Sequence, residues 1–276
     1  ISNAQEINYN PFRLSQPILK LLLFSPRELV ATYFKTSKLP KFNQTILVGI
    51  KACDLNASKI LDYNYLGQDY TDEVYKSKRE NIIIFSSDCS DCLDYCFCTE
   101  LGFKPYAEEN FDLNFSKVET GFIVEIGSDK GKELTEKNKI LFQDISGNLI
   151  EVQEKNRDEI IRKVKSKNSD YNIQTDIYQG VKRNFESEIW KEEVEKCVDC
   201  GACVLACPAC RCYILYDVDK KKNIERFRFW DACMFTGYAR VAGGGNPRKK
   251  LSERYRNRFA CKFNLTSFAD YRHLQP

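Results

Sequence analysis

The chain has 276 residues, enough for one large or two modest domains with a buried core. Its 43% hydrophobic and 29% charged residues fit a soluble globular protein, and a net charge of +3 is too small to mark a nucleic-acid binder. No run of about 18 uncharged apolar residues occurs, the best candidate (17–26) being interrupted by Lys20, so no membrane span is expected.

In chain order, the first 44 residues suggest a helix over 27–34 among irregular segments marked by Pro11, Pro17, Pro26 and Pro40. Residues 45–50 form a continuous apolar run of strand length, suited to a sheet buried on both faces. Asp54 then reads as the N-cap of a helix over 55–61. Residues 81–85 and 121–126 repeat the buried-strand signal, while 140–142 is too short to count. Strands separated by helices predict an α/β domain over 1–145. Beyond it the charged stretch 151–167 carries Ile160, Ile161 and Val164 on one helical face. Val181, Phe185, Ile189, Trp190 and Val194 recur near helical spacing and lead into Cys197. Residues 146–276 are therefore expected to form a helical, ferredoxin-like domain, and the overall class is α+β. No signal peptide or twin-arginine pair opens the chain, which favours the cytoplasm. It begins at Ile1 and its one methionine is Met234, so its natural N-terminus is expected to lie further upstream.

Cysteine is the anomaly. Thirteen occur, and ten of them fall within 89–98 and 197–212. Such crowding suits sulfurs converging on an inorganic core better than disulfides between distant loops. Cys197, Cys200, Cys203 and Cys207, followed by Pro208, fit C-x2-C-x2-C-x3-C-P without a gap, the ferredoxin signature of a [4Fe–4S] cluster. Gly201 lets the backbone curl tightly around a cube, and Pro208 turns the chain away. Zinc also uses C-x2-C pairs, but two separated ones rather than a triplet followed by C-P. In two-cluster ferredoxins the fourth cysteine of such a run serves the other cluster. Cys207 could do so here, and Cys210, Cys212, Cys233 and Cys261 are then the remaining candidates.

In the first half, Cys53 lies three residues after one expected strand and Cys89 four after another. If the strands are parallel, both thiols share the edge where α/β proteins place ligands. Cys92, Cys96 and Cys98 sit in the same loop as Cys89, and spacing leaves the choice among them open. Zinc, or a buried hydrophobic role for Cys53, is the plainer reading.

Several segments together resemble the family of sulfhydrogenase β subunits and anaerobic sulfite reductase A subunits. They are Gly49-Ile-Lys-Ala-Cys-Asp-Leu55, Asp88-Cys89 with Cys96-Phe-Cys98, Phe111-Asp-Leu113 and Val124-Glu-Ile-Gly-Ser128. The ferredoxin run with Pro208-Ala-Cys-Arg-Cys212, Trp230-Asp-Ala-Cys233 and Ala242-Gly-Gly-Gly-Asn-Pro-Arg248 complete the set, which spans about residues 17–263. The resemblance implies Cys53, Cys89, Cys96 and Cys98 as ligands of an N-terminal [4Fe–4S] cluster, with Cys92 extra, and Cys197, Cys200 and Cys203 in a C-terminal one. It also implies a second C-x2-C-x2-C run after the basic segment, which this sequence lacks before Pro276. The implied role is an electron-relay subunit rather than the catalytic one. Its partners would be a flavin-containing, NAD(P)-linked subunit and a hydrogenase, sulfite-reductase or heterodisulfide-reductase-type module. A flavin- or deazaflavin-dependent reductase with its own clusters, and a zinc-stabilised interaction module, are the rival expectations.

Other features carry less. Six of the eleven residues 248–258 are Arg or Lys, which reads as a solvated helix face or as a docking stripe for an acidic partner. Gly243–Gly245 reads as a turn, and neither a P-loop nor G-x-S-x-G is present. The one histidine, His273, cannot build a histidine metal site.

Overall fold

The structure is a computed structural model that describes residues 10–34, 41–67, 69–119, 121–145, 147–171 and 176–263; Pro40 and His273 lie outside them. The chain divides into two compact units, residues 1–23 with 41–172, and residues 24–40 with 173–276.

The first unit is built on a four-stranded sheet of β2 (Thr45–Ile50), β3 (Ile82–Ser87), β4 (Leu113–Val118) and β5 (Gly121–Ile126), in that order. β2, β3 and β4 run parallel, and β5 returns antiparallel beside β4. β3 is an inner strand and reads as predicted, with Ile82, Ile83 and Ile84 all buried. β2 departs from the expectation of burial on both faces. It lies at the sheet edge, where Leu47 and Ile50 are buried but Ile46 and Val48 are exposed.

The crossover from β2 to β3 runs through α2 (Ala52–Leu66) and α3 (Glu73–Asn81), preceded in the chain by the short helix α1 (Ile18–Leu23). α2 starts earlier than the sequence suggests. Lys51 occupies its cap position without a side-chain cap bond, and Asp54 instead accepts from Arg13 Nε at 2.9 Å inside the first turn. Cys53 is therefore in that turn rather than before it.

After α4 (Asp129–Lys137), α5 (Gly147–Lys167) packs against β4 and a short 3-10 turn (Cys98–Leu101), with Gln153, Ile160 and Val164 buried. Its charge pattern had placed this helix in the second half of the molecule. The structure keeps it with the first unit because its apolar stripe covers the cysteine loop.

The second unit contains more than the expected helices. β1 (Arg27–Tyr33), β7 (Ile224–Trp230) and β6 (Tyr213–Asp219) form an antiparallel sheet in the order β1-β7-β6. The predicted helix over 27–34 is thus a strand. Long-range pairing overrides a weak local preference here: Glu28 lies opposite Arg228, and the buried Arg228 guanidinium holds Glu28 Oε1 at 2.6 Å while lying over the ring of Phe24. Around this sheet the chain adds α6 (Ile177–Arg183), α7 (Ile189–Glu192), α8 (Ala202–Leu205) and α9 (Leu251–Phe263). Trp190 packs on Tyr255 and Phe259 of α9. Among the described residues no helix is long and apolar enough to cross a membrane.

Candidate metal centres

In the first unit the parallel pairing of β2 with β3 puts both carboxyl ends on one edge of the sheet. Cys53 lies just beyond β2 and Cys89 two residues beyond β3. The loop 88–112 then folds back over the same edge. Its turns are fixed by main-chain bonds from Cys89 N to Pro105 O (2.9 Å), Cys96 N to Leu93 O (3.0 Å) and Phe103 N to Cys98 O (3.0 Å).

Several thiols lie near one another there. Cys53 is close enough to feel the charge of Cys89 and Cys98, and Cys89 that of Cys98 and Cys96. Burial raises the pKa of the Cys53 and Cys98 thiols and pushes Cys89 up to about 12. Such thiols hold their protons until a metal takes them as thiolates. Cys92 differs. It is buried with Ile160 and Val164 of α5, in the place of a small core residue, and Cys89, Cys96 and Cys98 pack around that cluster.

Two cations frame this edge, and sequence reasoning passed over both. Lys51 is fully buried and donates to Ser87 Oγ (2.8 Å) and Asp88 O (2.9 Å). Its burial lowers its pKa to about 8, against the opposing pull of Cys89, Asp88 and Cys53. Arg157 of α5 reaches Asp88 Oδ2 at 2.7 Å and also pairs with Glu125. Asp88 further accepts from Asn114 Nδ2 (2.9 Å) and Ser116 Oγ (2.7 Å). The residue before Cys89 is therefore clamped from four directions. The available signal for Lys51 was a lysine placed between an apolar strand and a cysteine.

In the second unit the ferredoxin run curls as its spacing demands. Asp199 and Gly201 both adopt left-handed backbone, at φ 56° and 73°, on either side of Cys200. A Cβ on Gly201 would stand 2.3 Å from the Phe235 ring, so glycine is required twice over. Cys197, Cys200 and Cys203 are exposed, and Cys207 is half-buried. The basic stretch is solvated only in part: Lys249 and Lys250 are exposed, whereas other members turn inward. Arg254 is buried, ties Asp199 Oδ2 (2.7 Å) to Met234 O (2.8 Å), and so anchors the loop to its surroundings. Arg258 donates to Cys203 O at 3.3 Å, and its Nε is buried without an acceptor.

A second group of thiols lies in the same unit. Lys262 Nζ donates to Cys207 Sγ (3.0 Å) and Cys210 Sγ (3.2 Å). The Cys210 thiol, with Lys262 beside it, holds Cys207 well below the ordinary thiol pKa. Cys233 feels the charge of Cys212 and Cys261, and burial pushes it up to about 11.

The donors fit iron–sulfur chemistry. They are all thiols, a soft set that selects clusters, zinc or cuprous copper. The ferredoxin loop offers left-handed turns and a buried arginine nitrogen facing no acceptor, which suit an anionic cube. Among the described residues no three His, Cys, Asp or Glu side chains gather around a single-ion position.

Comparison with known proteins agrees with this chemistry. Residues 196–273 match the family of 4Fe-4S dicluster domains, which implies two [4Fe–4S] clusters. The chain is 34% identical over 222 residues to sulfhydrogenase 2 subunit beta of Pyrococcus furiosus, covering 79% of this chain. It spans 63% of that relative's length. No solved structure matches the chain.

Proposed function

We propose that this chain, a homologue of sulfhydrogenase β subunits with a 4Fe-4S dicluster domain, relays electrons one at a time within a multi-subunit oxidoreductase. The observation that carries the reading is the grouping of thiols at two places, one in each unit. Cys53, Cys89, Cys96 and Cys98 would hold one [4Fe–4S] cluster, and Cys197, Cys200, Cys203 and Cys207 another. When bound, such a cube supplies one-electron redox chemistry with little rearrangement.

The protein's own residues have three tasks. The first is to hold the thiols in place. The parallel strand ends and the Asp88 clamp do this in one unit, and the left-handed turns with Arg254 do it in the other. The second is to balance negative charge. Lys51 and Lys262 lie against thiols at the two places and favour the more negative, reduced state. The third is exposure. Cys197, Cys200 and Cys203 are open to solvent, as suits an entry or exit point for electrons from a partner.

A relay needs a donor and an acceptor. The partners that fit are a flavin-containing, NAD(P)-linked subunit on one side and a hydrogenase-, sulfite-reductase- or heterodisulfide-reductase-type module on the other. The test is anaerobic isolation with whatever subunits accompany the chain, followed by dithionite titration. Reversible bleaching of a brown visible absorption, together with co-purifying redox subunits, is the expected result. Zinc without acid-labile sulfide would replace this reading with a zinc-stabilised interaction module.

A further inference from the structure

We propose that strand β6 is the edge at which two copies of this chain meet, their β6 strands pairing antiparallel about a twofold axis at Leu215. Pairing of this kind does not depend on the thiols holding clusters, and it adds a second copy to the partners described above.

β6 pairs with β7 on one side only, so its outer main-chain groups line the end of the sheet. Such an edge is a template for another strand, and proteins blunt it with bulges, prolines, lysines or a covering element. β1, at the other end of the same sheet, has a bulge between Leu29 and Ala31, and β2 in the first unit has one between Val48 and Ile50. β6 lacks these devices. Its seven residues, Tyr213–Asp219, run without a register break and include neither proline nor lysine. Three apolar side chains in succession, Tyr213, Ile214 and Leu215, are instead 42%, 54% and 45% exposed.

The side chains beside the edge are already packed. Ile214 lies opposite Phe229, and Tyr216 opposite Phe227. The Tyr216 ring stacks on Phe227 at 5.5 Å between centroids and meets Phe229 at 5.1 Å. Arg27 Nε donates to the Tyr216 hydroxyl at 3.0 Å, and its guanidinium lies over the Phe227 ring. The edge therefore needs little ordering before a second strand arrives.

Charge selects that second strand. Laid antiparallel on itself with Leu215 opposite Leu215, the segment 211–219 sets Arg211 against Asp219 at both ends. Ile214 then faces Tyr216, Cys212 faces Val218 and Tyr213 faces Asp217, so that no like charges meet. Asp217 brings no unpaired charge, because Arg226 on β7 holds its two oxygens at 2.8 and 2.7 Å. A register centred on Tyr216 sets Lys221 against Arg211, and one centred on Ile214 leaves Asp219 opposite Ala209. An apolar middle with opposite charges at both ends is the self-complementarity that a closed twofold interface requires. The pairing joins two three-stranded sheets into one of six strands.

The test is sedimentation of the anaerobically prepared full-length chain, with circular dichroism as the folding control. The unaltered chain should sediment at twice its 32.1 kDa mass. Leu215→Lys sets two lysines face to face on the axis and should return the single mass. Asp219→Arg turns two attractive pairs repulsive and should weaken the dimer roughly tenfold. Adding Arg211→Asp reverses both charges and should restore it. Amide hydrogen exchange over 213–219 should slow with rising concentration in the unaltered chain but not in Leu215→Lys. A single mass at every concentration would overturn the proposal, as would a dimer indifferent to Leu215→Lys or a folded double variant no tighter than Asp219→Arg alone. Protection of β6 only when a different subunit is bound would also overturn it, and would assign the edge to that subunit.

Discussion

At the scale of single residues, the sites depend on a few side chains whose roles follow from contact and charge. Gly201 has no substitute, because its backbone is left-handed and Phe235 fills the space where a side chain would go. Gly201→Ala is expected to cost about 1–2 kcal/mol in backbone strain alone, and to lower iron loading of the ferredoxin run. Adding Phe235→Leu should recover part of that loading by relieving the contact but not the strain, as an iron assay on the two variants would show. Lys262 acts through charge. Replacing it with Met removes a cation that favours the reduced state, so the potential of the adjacent cluster should fall. A drop of roughly 60 mV corresponds to ~1.4 kcal/mol for a one-electron couple. Redox titration would show it, and an unchanged or higher potential would deny Lys262 this role.

At the scale of elements, the Asp88 clamp joins the cysteine loop to α5 and the sheet. Arg157 is largely buried between Asp88 and Glu125, and Tyr106 lies beneath its guanidinium at 4.2 Å. Arg157→Met leaves two carboxylates without their cation, and should destabilise the first unit by about 2–4 kcal/mol. Chemical denaturation would register this as a lower midpoint, with Cys89 more open to alkylation in the variant.

The elements also show where sequence reading succeeds. The β3 strand was legible because three isoleucines in a row allow little else, and α5 because Ile160 and Val164 share a face. β1 was not legible. Its strand state depends on Arg228, 200 residues away in the chain, and no local pattern encodes that pairing. The motifs Phe111-Asp-Leu113 and Val124-Glu-Ile-Gly-Ser128 are scaffolding: Asp112 accepts from Ile84 N (2.7 Å) and Ser128 Oγ (2.5 Å), which joins β3 to the start of α4.

At the scale of the whole molecule, two compact units each gather thiols, and each does so by its own means. In the first, parallel strands deliver cysteines to a shared edge, a placement readable once two buried strands were followed closely by cysteines. In the second, the ferredoxin spacing announced its own loop. What spacing could not reveal was the company of Cys212, Cys233 and Cys261, because a hairpin register and a distant helix bring them together. Lys51 and Lys262 escaped notice for a related reason, since a lysine reads as surface until burial is known.

The central claim is that thiols of this chain grip iron–sulfide cubes in both units. Its most direct test is iron and labile sulfide in anaerobically prepared protein carrying Cys89→Ser, Cys200→Ser, or both. The account predicts that each single variant loses one cube's share of iron and sulfide, and that the double variant loses the sum. A folded, colourless, iron-free protein before any substitution, or iron indifferent to both changes, would contradict it.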